Sequence, residues 1–419
     1  MLSLSRARFI SLSIPSMSTN RPAEGLTSLP RPDSAQALPL VAALKTYSVD
    51  RVKKTALFAL SIGILACGPS IEITEAASTG ARPRPDACTP GAAPKLASID
   101  RKELSPPPAP VGSMVLDPKT SRALIIGGIS LNGGGHAKQI SALDLASLEH
   151  HVLSLKGDSV EVPTFAAAIW DPENERAVVI GGTGGAADLA QVFAVHVEGD
   201  AAIIDQLPEF PIGSASAPAV AYDPIGKRAL VSAFIYSDDP ALTLAYRGTY
   251  ALDLRPGAES WSTLVPGEAG PPAPQLSESR QMAYDPALDR MVMVRSGQKS
   301  GLVGVWALDL QNPTSWISLA GTLPALPVST PSLLWDEVSC SFLSFTRTPN
   351  ACGFDAWAID AAATLFAPSP LGSAMFGPGG PGNGNVLLDA PRDRLLILGG
   401  SDCTEDDYLK TVEFVGIER

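Results

Sequence analysis

The chain has 419 residues, of which 45% are hydrophobic and 18% are charged, and its formal net charge is −12. Residues 1–66 carry eight basic and three acidic side chains, so the remainder of the chain has a net charge of −17. A body with that charge repels phosphate backbones, which excludes nucleic acid as an expected partner.

The first 51 residues show no helical or strand periodicity, and we predict that this extension is untranslated or disordered. Residues 52–66 begin with a basic pair, Lys53 and Lys54, followed by an apolar stretch. A basic start and about ten apolar residues are typical of a secretory signal peptide, which is too short to remain in the bilayer as a spanning helix. Because such signals begin close to their lysines, we expect translation to start at Val52 from a GUG-type codon.

The signal ends in Ile64-Leu65-Ala66-Cys67, which resembles the lipobox of bacterial lipoproteins. The resemblance implies that Cys67 receives diacylglycerol and becomes the mature N-terminus, and that Gly68 directs sorting to an outer membrane if the host has one. The alternative is a core helix with an incidental cysteine. Residues 67–93 are polar and rich in proline, which indicates a flexible tether. We therefore expect an exported protein that contacts the membrane through its lipid anchor only.

A sequence repeat occupies the chain from residue 94 to residue 419. Each copy has a short apolar run that ends in Asp, a turn of about five residues and a second apolar run. These residues, called corner aspartates below, are Asp117, Asp171, Asp223, Asp285, Asp336 and Asp389. Their spacing of 51 to 62 residues agrees with the roughly 50 residues of a propeller blade and not with the roughly 34 of helical repeats.

Each copy continues with a third apolar segment, and most copies have a fourth, such as residues 151–155 in the first copy. Four strands of this kind make one blade of a propeller. The last copy has only three, whereas residues 95–100 align with the fourth strand of another copy. We therefore predict an all-β fold, a six-bladed β-propeller over residues 94–419 whose ring is closed by an N-terminal strand that completes the last blade.

Three further features recur at fixed places in the copies. Double glycines follow the second strand, an Asp-Leu pair follows the third, and a Trp opens the fourth; the glycines and tryptophans are Gly127-Gly128, Gly181-Gly182, Gly399-Gly400, Trp261 and Trp316. The pattern is similar to the kelch repeat, as in propellers like the central domain of galactose oxidase, and covers about three quarters of the chain. Copies three to five lack the double glycine, and copies one, two and five lack the Trp.

If Cys67 is lipidated, an even number of cysteines remains, which in an exported protein predicts two disulfides. Cys352 and Cys403 both lie in loops between the second and third strands of neighbouring blades, and we favour their pairing. Cys88 and Cys340 would then pair on the opposite face. In the alternative, the loop around residues 346–354 folds back and joins Cys340 to Cys352.

The sequence contains no recognised catalytic or cofactor motif, and we expect neither a cofactor nor a metal. The histidines, His136, His150, His151 and His196, are not spaced as a ligand set. Acidic loop residues of the third and sixth copies are the candidate ligand-binding groups, because many propellers bind ligands with these loops and carboxylates suit hard cations. They are Asp238, Asp239, Asp402, Glu405, Asp406 and Asp407, and the alternative is a solvated surface.

These features predict a lipid-anchored, exported propeller that acts as a binding or scaffold module for an unidentified protein or glycan of the cell envelope, and not an enzyme. The alternative is a hydrolase or lyase acting on extracellular glycans, with carboxylates that converge in the central funnel. The first strands of the copies are apolar and small, which argues against the enzyme. A purely structural envelope protein is a third possibility.

Overall fold

The computed structural model of this protein contains a six-bladed β-propeller, which confirms the predicted fold class. It describes residues 94–105, 107–109, 112–130, 135–184, 187–213, 218–236, 244–269, 279–296, 303–319, 332–347, 353–360, 368–375, 385–398 and 411–419. These residues form strands and two short 3₁₀ helices, Gly267–Ala269 and Ala390–Arg392. Within them, no helix has the length and hydrophobicity that a membrane span requires.

The first half of the propeller contains an N-terminal strand and three blades, whose strands follow in chain order. Strand β1 is Lys95–Glu103. Blade one has β2 (Ser113–Asp117), β3 (Arg122–Ile126), β4 (Ile140–Asp144) and β5 (His150–Val152). Blade two has β6 (Ser154–Gly157), β7 (Ala167–Asp171), β8 (Arg176–Ile180), a small hairpin of β9 (Thr183–Gly184) and β10 (Ala187–Asp188), β11 (Val192–Glu198) and β12 (Ala201–Leu207). Blade three has β13 (Ala219–Asp223), β14 (Arg228–Tyr236), β15 (Leu244–Asp253) and β16 (Trp261–Pro266).

The second half contains blades four to six. Blade four has β17 (Ser279–Asp285), β18 (Arg290–Ser296), β19 (Val303–Asp309) and β20 (Ile317–Ser318). Blade five has β21 (Ser332–Asp336), β22 (Ser341–Arg347), β23 (Gly353–Asp360) and β24 (Pro368–Met375). Blade six has β25 (Asn385–Asp389), β26 (Arg394–Leu398) and β27 (Thr411–Glu418), and β1 is its fourth strand. The six inner strands are β2, β7, β13, β17, β21 and β25, and each contacts the inner strands of both neighbouring blades.

The ring closes through strand β1, as the sequence predicts. β1 pairs antiparallel with β27, from Lys95 opposite Glu418 to Glu103 opposite Thr411. The strand is longer than the predicted segment 95–100, and a bulge interrupts it between Leu96 and Ile99. The last blade is therefore made from both ends of the propeller sequence.

Blade two differs from the prediction because it has a fifth strand. The predicted fourth strand of blade one, residues 151–155, divides after Leu153, whose N–H donates to the Ile140 carbonyl in blade one. The next residue, Ser154, donates instead to the Asp200 carbonyl, and β6 then pairs parallel with β12. The chain thus leaves blade one and pairs with the outer strand of blade two, so that this sheet ends in the four-residue strand β6, and short edge strands limit pairing between molecules.

The hydrophobic cores lie between neighbouring blades. Strand β3 shows the reason: Leu124 and Ile126 pack against blade two, and the alternate residues Ala123 and Ile125 pack against blade six. Successive side chains of a strand point to opposite faces, so a blade with a neighbour on each side needs apolar residues on both faces. This explains why the second strands of the copies are nearly continuous apolar runs.

The corner aspartates build the turns that join the first and second strands. All six are buried, and five accept backbone N–H groups two or three residues later, as Asp223 does from Ile225 and Gly226 at 3.2 and 2.9 Å. The fourth residue after each aspartate has a positive φ; the six are Ser121, Glu175, Lys227, Asp289, Cys340 and Asp393. The repeated Asp is therefore a turn-forming residue of the scaffold.

Four corners also contain an ion pair that the sequence analysis missed. An arginine five residues after the aspartate donates its Nε to the carboxylate at 2.7 to 3.0 Å; the pairs are Asp171–Arg176, Asp223–Arg228, Asp285–Arg290 and Asp389–Arg394. In blade five that position is Ser341, and Arg419 of blade six reaches the Asp336 carboxylate instead, at 2.7 and 3.0 Å. In blade one, Thr120 donates to Asp117 and no arginine does so among the described residues.

The seam between β1 and β27 contains a buried acid. Glu413 is fully buried, and its Oε1 accepts hydrogen bonds from Arg101 and Thr411, both at 2.9 Å. Its Oε2 is buried without a hydrogen-bond partner. Burial raises the pKa of Glu413 above its usual value, although Thr411 and Arg101 act in the opposite direction. The charged form is therefore disfavoured in the folded protein.

We expect Glu413→Gln to leave stability at pH 8 within about 1 kcal/mol of the original protein, because the amide removes a poorly solvated charge. A carboxyl whose folded pKa is raised contributes most to stability below its unfolded pKa, and that contribution is lost as pH rises through the folded pKa. Urea titrations between pH 4 and pH 8 should therefore show the original protein gaining stability relative to the variant as pH falls. A difference in unfolding free energy between the original protein and Glu413→Gln that stays constant with pH would contradict the prediction.

Candidate binding site at the mouth of the central channel

Every inner strand begins at one face of the ring and ends at its corner aspartate on the other. We call these the mouth face and the corner face. The residues four positions before the corner aspartates form the mouth ring, and they are Ser113, Ala167, Ala219, Gln281, Ser332 and Asn385. All but Ala219 are partly exposed, and none is ionisable. At this level of the inner strands the residues are therefore small or uncharged and polar.

Two hydrogen bonds join three neighbouring blades at the mouth ring. The Asn385 side-chain amide of blade six donates to the Gly112 carbonyl, which precedes β2. The Ser113 hydroxyl of blade one donates to the Ala166 carbonyl, which precedes β7. Asn385 of blade six and Ser113 of blade one therefore occupy neighbouring positions around the mouth. Ser113 also contacts the segment that leads into blade two.

That segment, residues 162–166, is held in place by blades one and two. The backbone of Thr164 exchanges two hydrogen bonds with Thr183, at 2.9 and 2.7 Å. The buried Thr164 hydroxyl donates to the Gly128 carbonyl at 2.9 Å and lies 2.6 Å from His136 Nδ1. Because a hydroxyl has one proton to donate, His136 Nδ1 is the donor to Thr164.

The double glycines of blades one and two are explained by this segment. A Cβ on Gly127 would lie 1.7 Å from the Pro163 carbonyl oxygen, and one on Gly182 would lie 2.7 Å from the Thr164 carbonyl oxygen. Both glycines also have positive φ, +65° and +92°. Only glycine allows the segment to cross so close to these strands. The glycine pairs thus position the segment that carries Phe165.

Phe165 has two unusual properties. Its φ is +55°, which is a strained conformation for a bulky residue, and its side chain is 46% exposed. The other positive-φ residues outside glycine, within the described chain, are the six corner-turn residues and Leu148. Among the aromatic residues whose side-chain burial the structure describes, Phe165 is the most exposed. The structure therefore presents an aromatic ring to solvent from a fixed backbone beside the channel mouth.

The positions of the carboxylates in the inner strands are relevant to the alternative that the protein is a glycan-active enzyme. In the described inner strands the carboxylates are the corner aspartates, which lie at the end opposite the mouth ring. Each is buried and accepts hydrogen bonds from its own turn, from arginine, or from both. The carboxylates of these strands therefore serve the corner turns.

A cavity lies on the corner face between blades two and three. It has a volume of about 260 Å³ and is lined by Asp171, Glu173, Asn174, Lys227, Leu254, Arg255 and Pro256. Several of its polar groups are already bonded to one another: Lys227 pairs with Glu173 at 2.8 Å, and Asn174 donates to Asp171 at 2.6 Å. These bonds reduce the number of polar groups that the cleft can offer to a ligand.

Most of the predicted site residues lie outside the described part of the chain. These are Cys67, Cys88, Cys352, Cys403, Asp238, Asp239, Asp402, Glu405, Asp406 and Asp407. Within the described part, no group of three potential ligand residues forms a metal site. The acidic loop residues and the lipidation site therefore stay predictions.

Cys340 is the one predicted cysteine that the structure describes. It occupies the corner turn of blade five and is disulfide-bonded, and its partner lies outside the described residues. Ser341 pairs with Asp360, and Arg347 pairs with Phe354, so Gly353 lies about 20 Å along the sheet from Cys340. A disulfide requires Cα atoms within about 7 Å. The register therefore favours Cys88 over Cys352 as the partner, and the connectivity stays a prediction.

Comparisons with known proteins add no family to this description. The sequence matches no protein-family model and no curated protein. The fold defines the class of the protein, which is a six-bladed β-propeller.

Proposed function

We propose that this protein is a lipid-anchored, exported propeller of the kelch type that binds a protein or a glycan at the cell envelope. The observation that carries the proposal is the mouth, where a rigid segment presents Phe165 beside uncharged polar side chains. An aromatic side chain on a backbone that is already fixed before a ligand arrives loses little conformational entropy on binding, which favours recognition.

The kelch assignment is supported by the two tryptophans of its pattern. Trp261 Nε1 donates to the Pro208 carbonyl, and Trp316 Nε1 donates to the Thr249 hydroxyl, both at 2.9 Å. Each bond joins a blade to the one before it. The two residues that suggested the family thus have the same inter-blade role in their copies.

The direction of β1 supports an anchored arrangement. Lys95 pairs with Glu418, and the next residue, Arg419, bonds to Asp336 and Asp393 on the corner face. A chain that precedes residue 94 therefore joins the propeller on the corner face. An anchor attached through it would leave the mouth face accessible to ligands.

The anchor is tested by metabolic labelling with an alkyne fatty acid and by membrane fractionation. We expect the original protein to carry label and to sediment with membranes, and Cys67→Ala to lose both, because only a thiol can receive diacylglycerol. Ser70→Ala is the matched control and should behave as the original protein does. Equal membrane association of Cys67→Ala would contradict lipid anchoring.

The binding role is tested with the immobilised protein and fractionated envelope proteins and glycans. Saturable retention of one component, with the component unchanged afterwards, would support a binding module. Release of new reducing ends from a glycan would instead establish the hydrolase alternative. Retention of neither class would contradict the proposed function.

A further inference from the structure

The Phe165 side chain has no evident role in the fold. It is 46% exposed, and its positive φ disfavours any residue other than glycine or asparagine, so a purely structural position would suit glycine better. The backbone around it is nevertheless fixed by Thr164, Thr183, Gly128 and Ser113. An exposed aromatic ring on a strained and rigid backbone is a feature typical of a recognition site.

The mouth ring lies on the same face of the propeller as the segment that carries Phe165, and its groups restrict the chemistry of a ligand. The mouth ring supplies hydroxyl and amide groups from Ser113, Gln281, Ser332 and Asn385, which donate and accept hydrogen bonds without carrying charge. Ser113 and Asn385 use one donor each on backbone carbonyls and retain acceptor oxygens. A charged partner would find no ionised side chain in this ring with which to pair.

We infer that the mouth binds a neutral oligosaccharide, with one sugar ring stacked on Phe165 and its hydroxyl groups bonded to the mouth ring. The inference rests on the proposed binding function and names its ligand class. The C–H face of a hexose is apolar and its rim carries hydroxyls, so it needs an aromatic surface with uncharged polar groups beside it. The net charge of −17 beyond residue 66 disfavours an acidic glycan.

The test uses the full chain and an array of neutral oligosaccharides of four to six glucose, galactose or mannose units, followed by calorimetry on those that bind. Phe165→Gly is the informative variant, because glycine adopts φ +55° freely. We expect its affinity to fall about tenfold or more while its melting temperature stays equal or rises. Phe165→Trp keeps an aromatic ring and should bind within about threefold of the original protein.

Two further variants complete the test. Gln281→Ala removes a mouth-ring amide and should weaken binding by roughly three- to tenfold. Leu288→Ala removes a side chain of the same 46% exposure on the corner face, and it should leave binding unchanged.

The outcomes separate this inference from the proposed function. Equal oligosaccharide binding by Phe165→Gly and the original protein would overturn the assigned site. Absence of binding to every neutral oligosaccharide, together with capture of an envelope protein that depends on Phe165, would overturn the ligand class and leave a binding module. Failure of both assays would overturn the proposed function as well.

Discussion

A chain that begins at residue 106 is expected to lose cooperative folding, whereas one that begins at residue 94 folds as a monomer. The shortened chain lacks β1, so β27 becomes the unprotected edge of blade six. It also loses Leu96 and Leu104, which pack in the cores on the two sides of that blade, and Arg101, which pairs with buried Glu413. Since native domains are stable by only about 5–15 kcal/mol, losses of this kind exceed what the ring can tolerate.

The measurement is thermal melting followed by circular dichroism, with gel filtration to detect association. A synthetic peptide of residues 94–105 is the control, because it should pair with β27 and restore part of the transition. Deletion of residues 1–87, which keeps Cys88 available to Cys340, should leave the melting curve unchanged. A cooperative, monomeric chain without β1 would contradict the closure described here.

Arg419→Ala is expected to cost about 3 kcal/mol, because it leaves the Asp336 carboxylate buried without a cation. Asp336 is fully buried, and Arg419 donates two hydrogen bonds to it at 2.7 and 3.0 Å. Burial alone would raise the pKa of Asp336, but the bonds from Arg419 and Ser339 outweigh it and hold that pKa below its usual value. At Asp285 a single Nε bond from Arg290 does not do so, and burial raises the pKa.

The lowered pKa of Asp336 determines how the effect of Arg419→Ala depends on pH. A carboxylate with a depressed folded pKa contributes stability above its unfolded pKa, about 4, and loses it as pH falls through the folded pKa. The difference in unfolding free energy between the original protein and Arg419→Ala should therefore be full at pH 7 and shrink below about pH 4. Urea titrations of both proteins across this range measure it.

Two controls make the Arg419 result specific. Lys227→Ala breaks an exposed pair with Glu173, whose side chains are 46% and 47% exposed, and should cost about 0.5 kcal/mol or less. Ser341→Arg, added to Arg419→Ala, places an arginine where four other corners pair one with their aspartate, and it should recover part of the loss. A cost for Arg419→Ala no larger than that for Lys227→Ala would contradict the pairing.

The fold could be predicted because its signals are local and repeated. Each corner needs an Asp that accepts backbone N–H groups, and each blade core needs apolar residues on both strand faces, so the same pattern recurs every 51 to 62 residues. The missing fourth strand of the last copy indicated that β1 would fill it. An arginine five residues after the aspartate is present in five copies, and in four of them it pairs with that aspartate, which turn formation alone does not predict.

Contacts between distant residues could not be predicted in this way. Arg419 bonds to a carboxylate 83 residues earlier, and the substitution of Ser341 for arginine is the one local sign of it. The proposed mouth site could not be predicted because Phe165 lies in a linker between copies, where no repeat pattern applies. Its importance depends on a backbone angle and on an exposed fraction that only the three-dimensional structure provides. The charged residues singled out in the sequence do not include the mouth-ring residues, none of which is ionisable.

The pairing of β1 with β27 has a mechanical consequence. The chain that precedes residue 94 joins β1 at Lys95. From there the strand runs along the outer edge of blade six to Glu103, from the corner face towards the mouth face. A pull on that preceding chain, directed away from the corner face, acts along the strand axis. The hydrogen bonds between the two strands are then loaded together in shear, and they do not open one after another from an end. Blade six, although assembled from distant parts of the sequence, is thereby suited to withstand tension applied through the N-terminal side.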